Sequence, residues 1–267
     1  MSFPDFTDCH CHILPGIDDG ARDLAMALEM VRVALASGTR AIITTPHHFS
    51  GSFRNTREDI LAAVAEFREI LAREEIALEV HPGSELHLTD DLADRIKDRE
   101  AMTYNDAGQH ALVELPAQFV PNGTEQILEK ILYSGCTPVI AHPERNSELC
   151  AHPERAMEWV SWGCCLQLTA QSIAGDFGNR IQSVSREFIR RGQVHLVGSD
   201  AHRPQGRSPN LRNGYATLTG WVGEQGADLL TQINPRKLLS GEKLSPLSAA
   251  VDSQRPRQGL WSKLFSR

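Results

Sequence analysis

A chain of 267 residues with 41% hydrophobic side chains is long enough to bury the core of one barrel-sized domain. Its formal net charge of −7 excludes the basic surface that non-specific nucleic-acid binding needs. No apolar run approaches a membrane span, the first residues lack the basic and apolar regions of a secretion signal, and the six cysteines form no Cys-x-x-Cys pair, so a cytoplasmic protein with reduced thiols is expected.

Residues 6–12 read as a strand. Side chains alternate along a strand, which puts His10 and His12 on one face and Cys9 and Cys11 on the other. Two imidazoles one pleat apart can share a metal ion, and the following loop supplies Asp18 and Asp19. A helix over 24–37 stops at Gly38, and a strand over 40–45 ends in Pro46-His47-His48. A long helix over 56–74 buries Ile60, Val64, Phe67 and Leu71. A third strand, 77–81, ends in Pro82-Gly83-Ser84-Glu85, and a short helix over 90–98 follows. The fourth strand, 111–115, carries Glu114, and a helix over 124–133 stops at Gly135. The fifth strand, 137–141, ends in His142-Pro143-Glu144-Arg145. A helix over 153–162 leads to a sixth strand, 164–169, and one over 179–191 leads to a seventh, 194–198, ending in Ser199-Asp200-Ala201-His202. Further helices are expected from 211 and over 234–239.

Strands alternating with helices predict parallel β-α units, and seven or eight in a row predict an α/β fold with a closed or nearly closed TIM-like barrel. Chemistry in such barrels sits at the C-terminal strand ends. Here those ends carry His10, His12, His47, Glu85, Glu114, His142, Asp200 and His202; only the sixth, near Gln167 and Thr169, lacks an obvious ligand. The set is too large for one ion and implies two or three. Imidazole with carboxylate and no thiolate suits Mn, Fe or Zn, and paired ions clamp phosphate and supply hydroxide at neutral pH. Arg145 and Arg207 follow close behind two of these ends, and a guanidinium fork matches phosphate oxygens.

Two rival chemistries fail on residue type. A thiol-based phosphatase places Arg six residues after its Cys, but those positions hold Pro15, Ile17, His142, Ala156, Ala170 and Gln171. Many amidohydrolases use a lysine at a middle strand end, and none of Lys97, Lys130, Lys237, Lys243 or Lys263 falls there.

Together these motifs resemble the polymerase-and-histidinol-phosphatase (PHP) superfamily, and more narrowly its bacterial tyrosine-phosphatase branch linked to capsular and exopolysaccharide synthesis. The resemblance runs over residues 5–243. It is carried by His10-Cys11-His12-Ile13-Leu14-Pro15-Gly16-Ile17-Asp18-Asp19-Gly20, Thr45-Pro46-His47-His48, Gly83-Ser84-Glu85, Ala111-Leu112-Val113-Glu114, Ala141-His142-Pro143-Glu144-Arg145, Ser199-Asp200-Ala201-His202 and Asn234-Pro235. It implies a distorted (β/α)7 barrel over 1–244; beyond that core, residues 245–267 read from their own composition as a flexible basic tail. It further implies three ions, usually Mn, with Fe, Zn or Co suited to the same ligands. One would take His10, His12, Glu85 and Asp200, a second Glu85, Glu114 and His142, and a third Asp19, His47 and His202, with Asp18 as the alternative to Asp19. Arg145 and Arg207 match the family's phosphate-binding arginines, and His48 or His202 is available as proton donor. The implied reaction is in-line attack by a metal-bridging hydroxide on phosphotyrosine. The implied substrate is the C-terminal segment of a membrane-bound tyrosine kinase, and the alternative is a small ester such as histidinol phosphate or a nucleotide. Leu260, Trp261, Leu264 and Phe265 in the tail offer a short amphipathic segment for membrane or kinase contact.

Overall fold

Two prolines decide how the sheet is built. The computed structural model describes residues 4–48, 51 and 53–247. Its strands are β1 (Phe6–Cys11), β2 (Thr39–Thr44), β3 (His47–His48), β4 (Glu79–His81), β5 (Glu85–His87), β6 (His110–Glu114), β7 (Thr137–Ala141), β8 (Cys165–Thr169) and β9 (Leu196–Gly198). Pro46 has no N–H for the ladder and separates β2 from β3, while Pro82-Gly83 separates β4 from β5. The interrupted strands stay side by side: Glu85 N donates to the Pro46 carbonyl at 3.1 Å. Gly83 fits there because a Cβ would lie 2.9 Å from the Thr44 carbonyl oxygen.

Among the described strands all pairing is parallel, in two ladders ordered β1-β2-β4 and β3-β5-β6-β7-β8-β9. The ring closes where the end of β1 meets the segment after β9. Asp200 N donates to the His10 carbonyl at 2.7 Å, and His12 N donates to that of Ala201 at 2.8 Å. Counting each interrupted pair once gives the seven strands expected of a distorted barrel.

The helices cover the outside: α1 (Leu24–Ser37), α2 (Arg57–Arg73), α3 (Leu92–Lys97), α4 (Thr124–Tyr133), α5 (Ser147–Ala151), α6 (Pro153–Trp162), α7 (Ala170–Ala174), α8 (Asn179–Arg190), α9 (Arg212–Asp228) and α10 (Asn234–Ser240). Local chemistry sets their ends. Asp23 caps α1 by accepting from Met26 N at 2.8 Å, and Thr56 with Asp59 forms a capping box on α2. Helices α5 and α7, five residues each, were not expected. The seventh strand begins at Leu196 rather than at 194. Among the described residues no helix is long and apolar enough to cross a membrane.

The barrel interior is filled by Cys9, Ile43, Leu112, Val139, Cys165 and Leu196, closed off by Tyr104. Cys11 packs elsewhere, with Ile13, Ile42 and Val80. The expected shared face for Cys9 and Cys11 is therefore replaced by two faces. The cause is a bulge: β1 advances from Asp8 to Cys11 while β2 advances only from Ile42 to Thr44. At the opposite end of the barrel, Asn234 donates to the carbonyls of His195 (2.8 Å) and Ser245 (2.7 Å) and accepts from Ser245 N. Leu247 N donates to the Val194 carbonyl at 3.2 Å. The rest of the expected tail, 248–267, with its amphipathic segment, lies outside the described residues.

Candidate metal centre

Every expected ligand reaches the C-terminal mouth of the barrel. His10 and His12 come from β1 and its continuation, Glu85 starts β5, and Glu114 ends β6. His142 and Asp200 follow β7 and β9 in left-handed backbone, at φ 31° and 51°. That conformation costs a non-glycine residue energy and folds these two side chains back over the mouth. The Asp18-Asp19-Gly20 turn comes down beside them. Gly20 is required because a Cβ would lie 2.1 Å from the His12 carbonyl oxygen.

The hydrogen bonds assign the imidazole tautomers. Asp18 Oδ2 lies 2.7 Å from His12 Nδ1, which must donate to it. Gln167 Oε1 lies 2.9 Å from His10 Nδ1, which donates likewise. Both Nε2 lone pairs then face inward, 3.3 Å from each other. Glu85 Oε1 and Asp200 Oδ1 each lie 3.3 Å from His10 Nε2, and Glu85 Oε2 lies 3.4 Å from His12 Nε2. Asp200 Oδ1 is buried without a hydrogen-bond partner. Lone pairs and carboxylate oxygens so close repel one another unless a cation joins them.

The remaining groups widen the cluster. Asp19 Oδ1 lies 3.5 Å from His47 Nε2 and 3.4 Å from His202 Nε2. Asp18 stands behind, accepting from His47 N and Gly20 N as well as from His12. His142 Nε2 is 3.0 Å from Glu85 Oε1 and 3.9 Å from Glu114 Oε1, and His47 Nδ1 is 3.4 Å from Glu85 Oε2. Four overlapping groups have donor atoms mutually within 4.8 Å: His12, Asp19, His47 and His202; His10, His12 and Glu85; His10, His142 and Asp200; and His47, Glu85 and Glu114. These donors are nitrogen and oxygen only, the set that suits Mn, Fe or Zn.

The electrostatics attract cations. Burial opposes the charged form of Glu85, yet His10, His12 and His142 hold its pKa well below 4.5. Burial would also lower the His12 pKa, but with no cation bound Asp18 and Glu85 hold it well above 6.5, a proton on Nε2 then taking the place that a metal ion would fill. Asp200 is lowered despite burial by His10, His142 and Arg207. Its Oδ2 accepts from Arg145 and, at 2.7 Å, from Arg207. Arg145 also lies over the Phe177 ring, 5.4 Å from its centroid. Both arginines thus border the cluster.

His48 is not brought to the cluster. Neighbouring residues on β3 face opposite ways, so His47 enters the mouth and His48 turns outward to line a cavity with Leu86, Leu92 and Arg95. Sequence reasoning also missed Gln167 and the orienting role of Asp18. Beside His47 and Glu114 a cleft of about 390 Å³ opens, lined by Phe53, His87, Leu115, Pro116 and Ala117. The Phe53 ring stacks on His47 with centroids 5.7 Å apart.

A seven-strand parallel barrel with a histidine–carboxylate cluster across its C-terminal mouth defines a metal-dependent hydrolase of the PHP type. Within that class, the chain belongs to the capsular polysaccharide synthesis CpsB/CapC family, which matches it over residues 6–240. It is 35% identical over 237 residues to the tyrosine-protein phosphatase YwqE of Bacillus subtilis (strain 168), covering 89% of this chain and 92% of YwqE. It is 30% identical over 237 residues to the tyrosine-protein phosphatase CpsB of Streptococcus pneumoniae, covering 87% and 97%. The crystal structures of YwqE and CpsB, unique metal-dependent tyrosine phosphatases, include a chain that superposes with a TM-score of 0.86 at 33% identity, covering 90% of this chain and 96% of that one. The β-aspartyl dipeptidase of Fervidobacterium islandicum-AW-1, at 15% identity and a TM-score of 0.52, shares the fold alone.

Proposed function

We propose that this protein hydrolyses phosphotyrosine on a bacterial tyrosine kinase that regulates capsular or exopolysaccharide synthesis. The observation that carries the chemistry is the pair of inward Nε2 lone pairs meeting Glu85 and Asp200. His10, His12, Glu85 and Asp200 would hold one ion, Glu85, Glu114 and His142 a second, and Asp19, His47 and His202 a third. Bound divalent ions, Mn foremost, with Fe, Zn or Co suited to the same atoms, supply hydroxide at neutral pH and offset charge on the phosphoryl oxygens.

The chain's own groups do the rest. Arg145 and Arg207, both donating to Asp200 Oδ2, would hold phosphoryl oxygens and stabilise charge as the ester bond breaks. A phenolate, with a conjugate acid near pKa 10, leaves far more readily than an alkoxide, so no dedicated proton donor is required. His48, turned away from the mouth, is not retained in that role. The cleft beside Glu114 offers apolar walls, Phe53, Leu115 and Pro116, to an aromatic ring. These features, with the named relatives, favour an aryl phosphate over a small alkyl ester.

The test is hydrolysis of a phosphotyrosine peptide by protein stripped with chelator and titrated with Mn, beside phosphoserine peptide and histidinol phosphate. Activity that disappears with the metal, returns with Mn and prefers phosphotyrosine is the expected result. Activity that survives complete metal removal refutes the chemistry, and preference for histidinol phosphate refutes the substrate.

A further inference from the structure

We infer that Gln167, at the one strand end with no ligand of its own, is a positioning residue that fixes the tautomer in which His10 meets the metal centre. The inference rests on the metal-dependent reading above. Gln167 is fully buried in β8, with no exposed surface. Its Nε2 donates to the Leu168 carbonyl at 2.7 Å, which settles the orientation of the amide. Flipping it would press Oε1 against that carbonyl oxygen and turn two donors toward His10. With the amide held, Oε1 accepts at 2.9 Å from His10 Nδ1. The proton of neutral His10 is therefore kept on Nδ1, and the Nε2 lone pair is presented to Glu85, Asp200 and His12.

Without that acceptor, His10 has a competing tautomer. Its proton would move to Nε2, where Glu85 Oε1 and Asp200 Oδ1 both wait at 3.3 Å. An Nε2–H imidazole donates to those carboxylates and cannot ligate. His12 faces the same choice, and Asp18, a carboxylate, settles it at 2.7 Å. The two imidazoles of one motif are thus oriented by different chemistry: a charged partner six residues away in the chain and a neutral amide 157 residues away. Groups that orient metal-binding imidazoles in this way typically change metal affinity 10–100-fold when removed.

The experiment compares the wild type with Gln167→Met, which keeps the length of the side chain and removes the acceptor. Two readouts are taken: affinity for Mn and Zn by competition with a chelator, and the protonated ring nitrogen of His10 by nitrogen-15 NMR of the zinc-loaded protein. The expected result is a Kd raised about 10–100-fold in the variant. The wild type should show a protected proton on His10 Nδ1, and the variant should lose that protection. Equal affinity in the two proteins would overturn the role of Gln167 while leaving the metal centre intact. A wild-type His10 carrying its proton on Nε2 would overturn it whether or not the variant folds. A wild type that binds neither metal would remove the metal centre and this inference with it.

Discussion

The barrel carries buried histidines at both ends and treats them in opposite ways. At the C-terminal mouth, His10, His12, His47, His142 and His202 stand among Asp18, Asp19, Glu85, Glu114 and Asp200. At the other end, His110 opens β6 and His195 precedes β9, one side chain 4% and the other 5% exposed. Burial alone pushes the His110 pKa down to about 4, and burial with the charge of His110 does the same to His195. At the mouth, carboxylates outweigh burial: Asp18 and then Glu85 raise His12, and Glu85 with Asp200 raises His142. His202, at the same mouth, is lowered by its own burial and by His12. A buried histidine is thus no sign of function. A buried histidine among carboxylates that hydrogen bonds do not fully satisfy is one.

Substitutions at the mouth should give the largest effects. His10→Ala or Asp200→Ala removes an atom from the centre of the cluster, and turnover of a phosphotyrosine peptide should fall by at least about 10³-fold together with bound metal. Arg145→Ala should cost about 10²-fold in kcat/KM while the metal content stays at the wild-type level. Metal analysis beside kinetics separates the two roles. Equal metal loss in all three proteins would mean that Arg145 is part of the metal-holding structure rather than a phosphate clamp.

The base should respond through stability and not through activity. Where the folded pKa of a histidine lies below its unfolded value, the unfolded chain binds more protons between the two, so stability rises with pH across that window. His110 and His195 therefore contribute stability that is fully present above pH 6.5 and is lost as pH falls toward 4, on the order of 3 kcal/mol for each. Urea unfolding of metal-free protein between pH 7 and pH 4.5 tests this. His110→Gln should flatten the acid loss of stability by an amount of that order and leave phosphatase activity at pH 7 within about two-fold. An unchanged acid limb would show that His110 does not titrate on unfolding.

Much of the mouth was legible in the sequence, because every residue there but Asp18 and Asp19 follows an apolar strand-like run and the fold aims such residues at one point. Asp19, His47 and His202 are separated by dozens of residues, yet the loop after β1 and two strand ends bring them together. What was hidden depends on contacts that no local pattern encodes. The bulge between Asp8 and Cys11 is set by pairing with β2, and the apolar run gives no sign of it. Gln167 looks like a stray amide in a buried strand until β8 is laid across the barrel from His10. Helices α5 and α7 are too short for a helical period to show. The left-handed backbone at His142 and Asp200 has no glycine to announce it. His48 is a different case, since the pleat of β3 already places it opposite His47.

That residue supplies the smallest expected effect and the sharpest check on the comparison. His48 lies beside His47 in the chain but resembles His110 in its surroundings. Its side chain is 2% exposed, and burial, with Arg95 nearby, pushes its pKa down to about 4. A group neutral at pH 7 and turned to the outer layer can neither reach the leaving oxygen nor share a cation at the mouth. His48→Gln should therefore keep kcat, KM and metal content within about two-fold of wild type, with any cost appearing in the melting temperature. A loss of kcat above about ten-fold with metal retained would mean that β3 turns over during the reaction and brings His48 into the mouth. The rule that surroundings, rather than position beside a ligand, decide a histidine's part would then fail where it is most exposed to test.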